Sequence, residues 1–137
     1  MIIDTSAVLA ILRQELSARD CAEAIERANV RRISVANLLE AAIAIDAVGD
    51  PIASRRLDAF LATAGVVSEP VTPEQANIGR AAYRDFGRGS GHPARLNFGD
   101  CFAYALAKAA REPLLFTGLD FARTDVDPAI TPSKRAR

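Results

Sequence analysis

Residues 96–125 constrain the fold more than any other stretch, because they join an apolar helix to a short apolar strand. Residues 101–107 carry no charge, and a helix without a polar face is buried between layers. Glu112 and Pro113 end this helix. Residues 114–117 then form an apolar run typical of an interior strand in a parallel sheet. The stretch therefore predicts a buried helix that packs on a parallel sheet.

The rest of the chain alternates short strands with helices. Strands are predicted at residues 2–3, 31–35, 65–68 and 114–117, with a weak edge strand at 126–130, and helices at 5–14, 17–29, 37–48, 51–63, 72–86 and 97–112. Such alternation gives a mostly parallel sheet with helices on both faces. We predict one α/β domain over residues 1–130, a three-layer α/β/α arrangement with four to five strands, followed by a basic tail at 131–137.

Composition excludes few functions. Lys and Arg (17) balance Asp and Glu (17), so only local patches bear on nucleic-acid binding. Cys21 and Cys101 lie far apart without C-x-x-C spacing, which predicts two reduced thiols in the core. No apolar run approaches about 20 residues, and the N-terminus lacks a basic region, so neither a membrane span nor a signal peptide is expected.

Four carboxylates are predicted at one edge of the sheet, because the ends of parallel strands and the starts of the following helices meet there. They are Asp4, Glu40, Asp100 and Asp120. Each also has an ordinary interpretation. Asp4 suits an N-cap, Asp120 suits a turn, and Glu40 and Asp100 each follow an asparagine by three residues, as in a capping box.

Together, the four acids favour a cation site. Clustered carboxylates repel one another, and a hard divalent cation such as Mg²⁺ or Mn²⁺ removes that repulsion. No histidine accompanies the acids, so zinc is disfavoured; His92 lies in a glycine-rich loop. An acid-bound Mg²⁺ suits phosphodiester hydrolysis. A phosphoryl-transfer domain with Asp4 as nucleophile fits less well, because Ser6 stands where a second acid is needed.

A basic strip adjoins the predicted acid edge. Residues 79–96 carry Arg80, Arg84, Arg88 and Arg95 against Asp85 alone. Arg84, Arg88 and Arg95 are candidates for contact with nucleic-acid phosphates, and a solvated surface is the plain alternative. The glycines beside Arg88 predict a flexible loop.

Taken in order, these motifs resemble the PIN-domain ribonucleases, specifically the VapC-type toxins of toxin–antitoxin pairs. The resemblance rests on Ile2-Ile3-Asp4-Thr5-Ser6-Ala7, Glu40, Asn97-Phe98-Gly99-Asp100-Cys101 and Leu115-Phe116-Thr117-Gly118-Leu119-Asp120-Phe121. It implies a PIN-like fold and a Mg²⁺- or Mn²⁺-dependent endoribonuclease toxin in the cytoplasm. It also implies a homodimer that binds a small VapB-type antitoxin.

Motif by motif, the resemblance implies that Asp4 and Asp100 are the principal metal ligands. Glu40 and Asp120 then hold the metal directly or through water, while Thr5 and Ser6 orient Asp4 or a water. Asp125 is left outside the predicted site. The helices over residues 9–29 and 50–63 are expected to offer grooves to the antitoxin. The alternative function is a non-catalytic module that only binds its antitoxin and regulates transcription with it.

Overall fold

The computed structural model describes residues 1–131, so residues 132–137 of the predicted basic tail lie outside the described part. The elements follow the predicted alternation of strands and helices. In chain order they are β1 (Ile2–Ile3), α1 (Thr5–Leu12), α2 (Ala18–Arg27), β2 (Arg32–Ser34), α3 (Val35–Asp46), α4 (Pro51–Thr63), β3 (Val67–Glu69), α5 (Pro73–Phe86), α6 (Phe98–Ala110), β4 (Leu114–Leu115) and a 3₁₀ turn (Phe121–Arg123).

The central sheet has four strands in the order β3-β2-β1-β4, and every pairing is parallel. The weak strand predicted at residues 126–130 is reduced to one bridge, between Leu114 and Pro128. Leu114 donates to the Asp127 carbonyl and accepts from Ala129, each at 2.8 Å. The residues on either side of Pro128 make these two bonds, so the missing N–H of proline is tolerated at this sheet edge.

Neighbouring residues of each central strand face opposite layers. Ile2 and Leu114 pack with the core that includes α6, whereas Ile3 and Leu115 pack with the core formed by α1–α4. Both pairs are fully buried, as a three-layer α/β/α arrangement requires. The prediction that residues 101–107 form a buried helix segment is confirmed, since only Phe102 among them is partly exposed.

The order of the strands locates a crevice at the carboxyl edge. The chain passes from β1 to β2 to β3 in one direction, and β4 then pairs with the other side of β1. In open α/β sheets, ligands bind where the strand order reverses in this way. Asp4 follows β1, and Asp120 follows β4.

No helix within residues 1–131 combines the length and the apolar character needed to cross a bilayer.

Candidate active site

Asp4 is the most buried of the four predicted acids, with 3% of its surface exposed. It caps α1, since the Ser6 N–H donates to Asp4 Oδ2 at 3.0 Å. Burial raises the pKa of Asp4 to about 7; hydrogen bonds with Ser6 act against this rise, and the negative charges of Asp100 and Glu40 add to it. Asp4 is therefore both a structural cap and an electrostatically strained carboxylate.

Asp100 lies in the first turn of α6 and forms the predicted capping box with Asn97. The Asn97 N–H donates to Asp100 Oδ2 at 2.9 Å, and the Asp100 N–H donates back to Asn97 Oδ1 at 2.9 Å. Burial raises the pKa of Asp100, and the charges of Asp120 and Glu40 raise it further. In both Asp4 and Asp100 a backbone N–H holds one carboxylate oxygen, Oδ2.

The capping box predicted for Glu40 is wrong. Ser34, not Asn37, is the N-cap of α3, so Asn37 lies inside the first turn and is fully buried. Its Nδ2 donates to the Gly99 carbonyl at 3.0 Å and to Glu40 Oε1 at 3.4 Å. The Glu40 carboxylate lies against Gly99, where a Cβ would overlap it. Glu40 thus reaches the start of α6, one residue before Asp100.

Asp120 is exposed at the start of the 3₁₀ turn and makes no capping hydrogen bond there. Its charge contributes to the raised pKa of Asp100, which places it on the same edge. Within residues 1–131, no three His, Cys, Asp or Glu side chains are arranged to hold a metal ion as they stand. The four acids are electrostatic neighbours without forming a closed ligand set.

Two hydroxyl groups tie this edge together. Ser6 Oγ accepts from the Thr117 N–H at 3.1 Å, which joins the exit of β1 to the exit of β4. Thr5 Oγ1 donates to the Asn37 carbonyl at 3.1 Å, which joins the start of α1 to α3. Both residues therefore fix the segments that carry the acids.

The three candidate arginines differ in their surroundings. The charge of Arg88 lowers the pKa of Asp100, so Arg88 is near the acids. Arg84 is an exposed side chain paired with Asp85 at 3.2 Å, and Arg95 is exposed in a left-handed backbone conformation with φ of 52°. Of the three, Arg88 alone is electrostatically coupled to the acid edge.

The glycine-rich loop around Arg88 carries hydrogen bonds of its own. The Arg88 N–H donates to the Leu96 carbonyl at 3.0 Å, and the Leu96 N–H donates to the Phe86 carbonyl at 2.9 Å. His92 Nδ1 accepts from the Ala94 N–H at 3.1 Å, and the His92 ring meets Phe86 edge-on. The sequence predicts a flexible loop here, whereas backbone contacts close its two ends. His92 has a structural role in this loop.

Asp125 lies outside the acid group. It accepts from the Tyr104 hydroxyl at 2.7 Å and pairs with Lys108 Nζ at 2.9 Å. Burial acts to raise the pKa of Asp125, but its bonds with Tyr104 and Lys108 outweigh this and lower it. These contacts clamp the segment after β4 to α6.

Cys21 and Cys101 are free and buried, as predicted.

Comparison with known proteins agrees with this geometry. The PIN domain family profile matches residues 1–127. Ribonuclease VapC28 of Mycobacterium tuberculosis is 56% identical over 130 residues, which is 95% of this chain and 98% of that protein. Among solved structures, M. tuberculosis VapC20, a sarcin–ricin-loop-cleaving toxin, has a TM-score of 0.71 at 16% identity and covers 96% of this chain and 98% of its own.

A toxin–antitoxin complex from Klebsiella pneumoniae has a TM-score of 0.69 at 18% identity and covers 96% of this chain and 97% of its own. At these identities the two structures bear on the fold, and both support a PIN-type α/β architecture. The family assignment rests on the profile and on the close relative, which both span nearly the whole chain. The chain belongs to the PIN domain family and, within it, to the VapC ribonucleases.

Proposed function

We propose that this protein is a metal-dependent endoribonuclease, the toxin of a type II toxin–antitoxin pair, acting in the cytoplasm. The observation that carries the proposal is the convergence of Asp4, Glu40 and Asp100 from three separate segments, with Asp120 coupled to Asp100. The high identity to a named VapC ribonuclease supports the same activity. The substrate class is RNA, cut at its phosphodiester bonds.

The donor set fits Mg²⁺ or Mn²⁺. These ions prefer carboxylate oxygens and water, and usually keep several waters. Such an ion suits four neighbouring acids that do not by themselves form a complete ligand set. Asp4 and Asp100 each have one carboxylate oxygen, Oδ2, held in place by a backbone N–H, so both carboxylates are oriented before a cation binds. A cation beside Asp4 would also compensate a carboxylate whose burial raises its pKa to about 7.

We assign Asp4 and Asp100 as direct ligands, with Glu40 and Asp120 binding directly or through water. When bound, the ion supplies positive charge that polarises a phosphoryl oxygen and acidifies a coordinated water. Backbone N–H groups fix the Asp4 and Asp100 carboxylates, which limits their reorganisation during the reaction. Arg88 contributes a positive charge beside Asp100 and is the arginine best placed for an RNA phosphate.

The deciding experiment is RNA cleavage by the purified chain with Mn²⁺, with Mg²⁺ and with a chelator. Asp4→Asn and Asp100→Asn are expected to reduce cleavage to the level of the chelated protein, because each removes a charged ligand. Asp58→Asn is the control, since Asp58 is an exposed acid on α4. Metal-independent cleavage, or near-normal cleavage by either site variant, would contradict the proposal.

The protein partners are proposed from exposed apolar surface. On α3, Val35, Leu39 and Ile43 follow one another at four-residue spacing and are 45%, 60% and 60% exposed. We assign this stripe to a second copy of the chain, because adjacent apolar residues left in water mark interfaces. Ile43→Glu is expected to yield a monomer in sedimentation. Asp58→Glu, which changes an exposed residue of α4, is expected to remain a dimer.

The antitoxin surface is assigned to α1, α2 and α4, where several apolar side chains are only partly buried. They include Leu9, Ile11, Leu12, Ala24, Phe60 and Leu61. An amphipathic segment of an antitoxin suits such a surface. Co-expression with its antitoxin should yield a complex, and Leu12→Asp should weaken that complex.

A further inference from the structure

Asn37 is a fully buried amide between α3 and α6. Its Nδ2 faces two acceptors, the Gly99 carbonyl at 3.0 Å and Glu40 Oε1 at 3.4 Å. Its Oδ1 is buried and accepts no hydrogen bond from residues 1–131. Burying an amide acceptor in this way is unfavourable, so the cost must be offset by what the NH₂ group does.

The orientation of this amide follows from its neighbours. A carbonyl and a carboxylate can only accept hydrogen bonds, so the group facing them must be the NH₂ group. The reverse orientation would set Oδ1 against the Gly99 carbonyl oxygen. Within residues 1–131, Asn37 also provides the single hydrogen bond to the Glu40 carboxylate.

Three acid-bearing segments meet at Asn37. Its backbone carbonyl accepts from Thr5 Oγ1 at 3.1 Å, and Thr5 directly follows Asp4. Its side chain binds Glu40, on its own helix, and Gly99, which directly precedes Asp100. These contacts link residues that are 32 and 62 positions apart in the chain.

We infer that Asn37 is a positioning residue of the active site, which holds Glu40 and the start of α6 beside Asp4. The acids repel one another, and a neutral donor between them keeps the carboxylates close without adding a charge. The inference rests on the proposed cation site. It assigns Asn37 no contact with RNA or with the ion, so its effect passes through the acids.

The test compares Asn37→Ala with Gln75→Ala. Gln75 is a matched control, because it is also a buried amide in the first turn of a helix, α5, and binds none of the acids. Mn²⁺ affinity is measured by titration at a temperature where each variant is folded, and stability is measured separately by thermal unfolding with a chelator.

A positioning role predicts that Asn37→Ala lowers Mn²⁺ affinity by about 10- to 100-fold, the usual effect of removing an outer-shell partner. Gln75→Ala should leave this affinity unchanged, whatever stability it loses. Asn37→Asp should bind Mn²⁺ more weakly than the parent despite its added carboxylate, because it sets an acceptor against Glu40 and the Gly99 carbonyl. Equal affinity of Asn37→Ala and the parent would overturn the inference.

Should Asn37→Ala fail to fold, Asn37→Thr is tested instead. Its hydroxyl group can donate to only one of the two acceptors, Glu40 Oε1 and the Gly99 carbonyl. Its Mn²⁺ affinity should fall below that of the parent, and parental affinity would overturn the inference. The proposed function fails differently: the parent would then bind Mn²⁺ no more tightly than Asp4→Asn does. The Mn²⁺ affinities of the Asn37 variants are therefore compared with that of the parent once the parent is shown to bind Mn²⁺ more tightly than Asp4→Asn.

Discussion

Gly99 lies so close to Glu40 that a methyl group on Gly99 would overlap the Glu40 carboxylate. Alanine normally stabilises a helix by roughly 0.5–1 kcal/mol relative to glycine. In Gly99→Ala, however, the new Cβ displaces the Glu40 carboxylate, which is the mobile end of a long side chain. We expect a folded protein whose Mn²⁺-supported RNA cleavage is several-fold lower.

The same substitution in a Glu40→Ala background separates the clash from any other effect. Without the carboxylate, Gly99→Ala should raise stability by roughly 0.5–1 kcal/mol, as measured by urea unfolding. It should then have no further effect on cleavage. Parental cleavage by the Gly99→Ala single variant would show that the position of Glu40 does not matter.

Asp4 predicts an unusual pH dependence of stability in the absence of metal. Its pKa is raised from 3.8 to about 7. Between these two pH values, the Asp4 carboxyl is protonated in the folded state and ionised in the unfolded state. Stability linked to Asp4 is therefore complete below pH 4 and is lost as the pH rises through 7.

Asp4→Asn removes that loss and keeps a side-chain oxygen able to cap α1. With a chelator present, the variant should exceed the parent in stability by about 1 kcal/mol or more at pH 8, since one unit of pKa shift corresponds to about 1.4 kcal/mol. The difference should shrink towards pH 4. Urea unfolding at both pH values measures it, and a constant difference would contradict the assignment.

Asp125 should behave as a structural residue. Tyr104→Phe and Asp125→Ala each remove the 2.7 Å hydrogen bond between the Tyr104 hydroxyl and Asp125 Oδ1, and each should cost about 1 kcal/mol of stability. The double variant should cost little more than either single variant. The Mn²⁺ affinity should not change.

The pKa of Asp125 is lowered in the folded state, so its contribution to stability is present above pH 4 and is lost as the pH falls below it. Acid unfolding of Asp125→Asn should therefore be shallower than that of the parent. A marked loss of Mn²⁺ affinity in Asp125→Asn would instead place this residue among the ligands.

Arg88 should contribute to RNA affinity more than Arg84 does. Arg88 is coupled to Asp100, whereas Arg84 is exposed and paired with Asp85. In an Asp100→Asn background, Arg88→Gln should reduce the slope of log affinity against log salt by about 0.7, the value for one phosphate contact on a single strand. Arg84→Gln should give a line parallel to the parent's, and Arg95→Gln tests the third candidate. Parallel lines for all three variants would remove the basic strip from the RNA interface.

Most of the fold could be predicted from the sequence because its signals are local. Pro51 and Pro73 begin α4 and α5 where expected, and the spacing of Asn97 and Asp100 predicts the capping box that forms. The end of β1 was predictable in the same way, and with it the position of Asp4, whereas β4 ends at Leu115, two residues before the predicted end.

The role of Asn37 could not be predicted, because two polar residues compete for one cap. Ser34 and Asn37 both suit an N-cap, and the sequence does not rank them. The choice is settled by Gly99, 62 residues further along the chain, whose carbonyl binds the Asn37 amide. Likewise, the partners of Asp125 are on α6, 17 and 21 residues earlier. Contacts of this kind depend on the finished packing.

The parallel pairing of β1 with β4 has a consequence for synthesis. Ile2 and Ile3 pair with Leu114 and Leu115, and Ser6 binds Thr117 across 111 residues. During translation, the first acid therefore leaves the ribosome long before the last strand that completes its surroundings. A nascent chain that ends before β4 lacks the crevice altogether. The acid edge therefore cannot assemble until nearly the whole chain has been made.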